Sequence, residues 1–167
     1  MTGQIGLQYA LRRVHDGEND AAKDLLEMAA RHRSDHEVHH VCRDLADWSR
    51  SHVAQLAEIA SQYGLDLQDR ADEPGALQHA RESLSSLIGR RREPGLLLLE
   101  DLRELYLLAS ANSLAWEMLA QHAQARQERD ILDLTARCHP QTLRQIRWAN
   151  TMLKTLSPQV LAVLDTA

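Results

Sequence analysis

The chain has 167 residues, enough for one substantial core, and its 44% hydrophobic and 26% charged residues are the balance of an ordinary globular domain. Its formal net charge of -5 argues against nucleic acid or an anionic membrane as partner, because both select a basic face. Phe is absent, aromatic residues make up 4% and there are 2 cysteines; the core must come from Leu, Ala, Val and Ile, which favours helices, and a disulfide scaffold is excluded.

Apolar residues recur at three- and four-residue spacing along almost the whole chain, the pattern of amphipathic helices. The first predicted helix runs from about Gln4 to Arg33. Its seam carries Leu7, Leu11, Val14, Glu18, Ala21, Leu25, Met28 and His32. The second starts after Ser34, where Ser34-Asp35-His36-Glu37 reads as a capping box with Ser34 accepting from the Glu37 N–H and Glu37 reaching back. Its seam is Val38, Val41, Cys42, Leu45, Trp48, Ser49, His52, Leu56, Ile59 and Tyr63, and Gly64 is a stop signal.

The polar stretch LDLQDRADEPG follows, and Pro74 opens a short amphipathic helix carrying Leu77, Ala80, Leu84, Leu87 and Ile88 that ends at GRRREPG. The third long helix, after Gly95, has Leu98, Leu102, Leu105, Ala109, Asn112, Trp116, Leu119 and Ala123 on its seam. QERD holds the next turn. The last helix has Leu134, Cys138, Thr142, Gln145, Ala149, Met152 and Leu156, with Pro158 near its end. Pro140 removes a hydrogen bond to the preceding turn and is expected to bend or break that helix.

The expected architecture is therefore all-α: a single domain over 1–167, with a helical hairpin at 4–63, a connection with a short extra helix at 64–95, and a second hairpin at 96–157. That is a four-helix bundle. If the connection crosses the bundle lengthwise, Cys42 and Cys138 lie at opposite ends; in a simple up-and-down bundle they are level. The longest aliphatic run, Leu96 to Leu99, is too short to span a bilayer. No basic segment followed by an apolar run opens the chain, so no secretory signal is read and a cytoplasmic location is expected.

Each seam has a polar interruption: Glu18 on the first helix, Ser49 and His52 on the second, Asn112 on the third, Thr142 and Gln145 on the fourth. Counted from the hairpin turns at about 1.5 Å per residue, all fall near mid-bundle. Buried polar groups are costly without partners, so these should satisfy one another.

This pattern resembles the ferritin-like superfamily, and the resemblance implies two helical pairs with a crossover connection. Members that bind two metals use a Glu from each of two helices and a Glu-x-x-His motif from each of the other two. Here Glu18 stands at the first-helix Glu and His52 at the second-helix His. Ser49 replaces the Glu of that motif, Asn112 the third-helix Glu, and Thr142-x-x-Gln145 the last Glu-x-x-His. One carboxylate cannot neutralise two divalent ions. The expectation is a structural polar layer and no cofactor; the alternative is iron, manganese or zinc held by Glu18 and His52.

The stretch HRSDHEVHH, residues 32–40, carries four of the nine histidines. His36 and His40 are one helical turn apart, a spacing that can clamp Zn or Ni from one face. The plainer reading is a capped turn with histidine at the negative end of the first helix. Glu117 and His122 are five apart and share no face, and His139 belongs to no motif. The cysteines read as buried thiols rather than nucleophiles. The three tryptophans read as anchors whose indole N–H seeks the polar layer. There is no glycine-rich phosphate loop, no Cys-x-x-Cys and no Ser-His-Asp order, so an enzyme is not expected. Leu96, Leu97, Leu107 and Leu108 give the third helix a second apolar face, which suggests a homodimer or a protein partner.

Overall fold

The computed structural model describes residues 4–67 and 93–165, and among them there are four α-helices and no strand. These are α1 (Ile5–Arg31), α2 (His36–Gln62), α3 (Pro94–Arg126) and α4 (Arg129–Leu164). The short helix expected from Pro74 to Ile88 and the arginines of GRRREPG lie outside the described residues.

α1 pairs with α2 and α3 with α4, and the hairpins meet through α1 against α3 and, less extensively, α2 against α4. Their directions follow from the two apolar clusters. One joins Leu7, Leu11 and Val14 of α1 to Leu56 and Ile59 of α2, Trp116 and Leu119 of α3, and Ile131 and Leu134 of α4. The other joins Leu25 and Met28 to Val38 and Leu45, and Leu98 and Leu102 to Ala149. The α1–α2 turn is therefore at the opposite end from the α3–α4 turn. α2 finishes at one end of the bundle and α3 starts at the other, so α2 and α3 run the same way. Cys42 belongs to one cluster and Cys138 to the other, which decides for a lengthwise connection. Among the described residues no helix is long and apolar enough to cross a membrane.

The helix ends explain the turns. Gly64, at φ 69°, closes α2 in a Schellman arrangement: the Leu65 N–H reaches the Ala60 carbonyl at 3.0 Å and the Gly64 N–H reaches Ser61 at 3.1 Å. Buried Leu65 then seals the end of the core. α3 opens with Pro94 in its first turn and Glu93 accepting from the Leu96 N–H at 2.9 Å. Gln127, in the left-handed region at φ 59°, turns the chain between α3 and α4.

Two expectations need correction. The cap of α2 is Asp35, not Ser34: its carboxylate accepts from the Val38 N–H at 3.1 Å, one residue later than the capping box implies. The second hairpin does not stop at 157: α4 runs on through Pro158 to Leu164, and it is also continuous across Pro140. Pro140 and Ala136, whose carbonyl loses its helical partner, are both exposed, so water can take the missing bond.

Candidate functional site

The two apolar clusters are separated by a polar belt. Glu18, Ser49, His52, Asn112, Thr142 and Gln145 are all buried, none more than 3% exposed. The heptad-like spacing that makes each helix apolar on one side also brings these six inward at one height.

Glu18 is the centre of the belt. The Trp116 indole donates to its Oε1 at 2.7 Å and the Thr142 hydroxyl donates to the same oxygen at 3.0 Å. The other oxygen, Oε2, faces His52 Nδ1 at 3.2 Å, within ion-pairing distance but without the alignment of a hydrogen bond. The far side of the His52 ring is anchored too: Nε2 donates to the Gln141 carboxamide oxygen at 2.7 Å. The Trp116 ring stands edge-on to His52 at 5.7 Å. Burial by itself pushes the Glu18 carboxyl up, but His52, the Trp116 indole and the Ser49 hydroxyl outweigh it and hold it below the usual 4.5.

Gln145 spans to the opposite wall, donating to Ser49 Oγ at 2.9 Å and to the Leu45 carbonyl at 3.1 Å. Asn112 does not join the carboxylate. It turns to α1 and donates to the Gly17 carbonyl at 2.8 Å. Gly17 is required there, because a Cβ would overlap the Asn112 carboxamide oxygen. The belt is thus three linked pieces: a carboxylate–imidazole pair with its donors, an amide–hydroxyl bridge from α4 to α2, and an amide that locks α3 onto the α1 backbone.

Sequence reasoning missed three participants. Gln141, half-buried on α4, was invisible because its position is just off the apolar seam. Gly17 carries no side chain to read. His15, only 1% exposed, lies one turn before Glu18 and approaches Asn19 at 3.3 Å, while its Nε2 has no partner. His139 finds the Ser113 hydroxyl at 2.8 Å, and burial lowers its pKa against the opposing pull of Glu117 and Glu18. Of the three indoles, Trp116 reaches the belt; Trp48 and Trp148 pack half-buried against the cluster containing Leu45. The thiols are buried and free, with burial pushing Cys42 up to about 12 and Cys138 up to about 11.

As a metal site the belt is poorly disposed. Among the described residues no group of three or more His, Cys, Asp or Glu converges to hold an ion. One Glu18 oxygen already accepts two hydrogen bonds, and the belt groups other than Glu18 and His52 are neutral amides and hydroxyls, weak donors for a transition ion.

The histidine-rich turn is divided by the fold. His32 Nε2 lies 2.7 Å from Asp101 of α3, a carboxylate that Arg31 also grips through Nε and one terminal nitrogen at 3.0 and 3.1 Å. Burial would raise the Asp101 carboxyl; His32 and Arg31 prevail and lower it. His39 Nδ1 donates to the Ala29 carbonyl at 2.8 Å. His36 and His40 remain exposed, with ring centroids 6.3 Å apart.

Compared with models of known families, with curated proteins and with solved structures, the chain matches none.

Proposed function

We propose that the protein is a non-catalytic ferritin-like bundle that acts through its surface, as a homodimer or with a protein partner, and that the polar belt is structural. The observation that carries the reading is the engagement of Glu18. Its carboxylate takes hydrogen bonds from α3 and α4 and faces the His52 imidazole of α2 in the same chain, so it works as the central knot of the four helices. Glu18 and His52 nevertheless face each other at 3.2 Å, and this favours the second reading, a metal protein that uses the pair for iron, manganese or zinc.

The surface that would mediate association is the outer face of α3. Leu107, Leu114 and Met118 are 48%, 62% and 52% exposed, and spacings of seven and four place them on one stripe opposite the buried seam. Such a contiguous apolar stripe is costly to leave in water. Isologous packing of this stripe on its copy buries it in both chains at once.

Two measurements test the reading. Light scattering on the tag-free chain is expected to give twice the chain mass, with Leu114→Glu returning the monomer; a monomeric wild type removes self-association. Elemental analysis of the same preparation is expected to show no iron or manganese that depends on the belt. Stoichiometric metal that disappears in Glu18→Ala and His52→Ala would replace this reading with the metal protein.

A further inference from the structure

The turn between α1 and α2 carries four histidines and the fold employs two. His32 is committed to Asp101 and His39 to the Ala29 carbonyl. His36 and His40 are left on the outer face of the first turns of α2, and their only contacts among the described residues are ring contacts within the histidine group.

Their spacing is one that a chelating pair uses. They stand at i and i+4 on a helix whose start is fixed by the Asp35 cap, so the backbone already holds the two ligands on one side. The rings are near-parallel, 24° apart in plane, with centroids 6.3 Å apart. An imidazole binds zinc in the plane of its ring at about 2.0–2.1 Å, so the stacked rings must rotate until one nitrogen of each points at a shared ion. Both side chains are exposed, and rotation about their own bonds supplies that motion. The pinned His39 ring stands edge-on against His40 at 5.1 Å and confines the arc through which His40 swings.

The geometry points to a two-histidine site for a divalent transition ion, zinc, nickel or copper, held by His36 and His40 with water in the remaining positions. Two neutral imidazoles suit these ions and not the hard cations magnesium and calcium, which require oxygen ligands. The order of affinity is copper first, with nickel and zinc weaker. An ion bound across the first turns of α2 is held by the folded chain and not by the unfolded one, so it stabilises the α1–α2 hairpin by mass action. The site shares no residue with the Glu18–His52 pair and stands or falls separately from it.

The test is calorimetric titration of NiCl2 and ZnCl2 into the full, tag-free chain near pH 7.5, with MgCl2 as control. One ion per chain is expected for nickel and for zinc, and none for magnesium. Changes outside the ligand shell alone cost about 10–100-fold in affinity, so His36→Ala and His40→Ala, which remove a ligand, are each expected to weaken binding at least about tenfold. Glu18→Gln, far from both rings, is expected to leave the affinity within about twofold. A NiCl2-dependent rise in Tm should appear in the wild type and vanish in His40→Ala. His36 and His40 are exposed, so circular dichroism should show both variants folded. The proposal is overturned if the wild type takes up neither ion, if the His36 and His40 variants bind as the wild type does, or if Glu18→Gln alone removes the site.

Discussion

His52 and His40 lie on the same helix about three turns apart, yet they live in different chemistry. His52 is fully buried, with Gln141 on one nitrogen and the Glu18 carboxylate before the other. His40 is exposed and meets the neighbouring imidazoles of His36 and His39. The difference shows what burial does to a histidine. Inside, a ring nitrogen left without a partner costs about 1–3 kcal/mol, so the Gln141 bond and the facing carboxylate make His52 part of the frame. Outside, water satisfies the ring at no structural cost and the nitrogens stay open to a ligand.

The sharpest way to break that contrast is to remove the inside partner. Glu18→Ala strips the acceptor from Trp116 and Thr142 and leaves His52 facing nothing, and should lower unfolding stability by about 3–5 kcal/mol in urea titrations. A loss below about 1 kcal/mol would mean that the belt is not the knot described here.

Next in size is Gly17→Ala. The added methyl overlaps the Asn112 carboxamide and forces α1 and α3 apart or Asn112 off the Gly17 carbonyl, at a cost of about 1–3 kcal/mol. Alanine is the better helix former, so a gain in Tm would show that the contact is slack.

Acid sharpens the same comparison. The folded state holds the Glu18 carboxyl below 4.5, so the unfolded chain takes up the proton first. The stability this pair contributes is complete above that value and is lost as pH falls below it. Tm measured downward from about pH 5 should therefore drop more steeply for the wild type than for Glu18→Gln, which cannot titrate. Parallel profiles would dissociate the pair from acid sensitivity.

The smaller effects lie at the histidine-rich turn. Asp35→Ala should cost about 1 kcal/mol by removing the cap, whereas Ser34→Ala should change stability by less than about 0.5 kcal/mol; the reverse order would restore the capping box. Smallest of all, the double change His36→Ala with His40→Ala should leave metal-free stability within about 0.5 kcal/mol of the wild type, the opposite of what removing Glu18 does.

What the chain determined unaided was everything that depends on neighbours in sequence. Spacing of three and four made four helices, Gly64 stopped α2, and Glu18, Ser49, His52, Asn112, Thr142 and Gln145 were bound to turn inward together because helical rise converts position into height. Tertiary structure decided the pairing. It sent Asn112 to the backbone of Gly17 instead of to Glu18, brought in Gln141 from beside the seam, drew His32 to Asp101, carried α4 on past Pro140 without a break, and placed Cys42 and Cys138 at opposite ends. The physical reason is that periodicity is a property of one helix. Which donor meets which acceptor depends on the rotation and direction of helices whose contacts lie many tens of residues apart, and a side chain's spacing along its own helix carries no information about that.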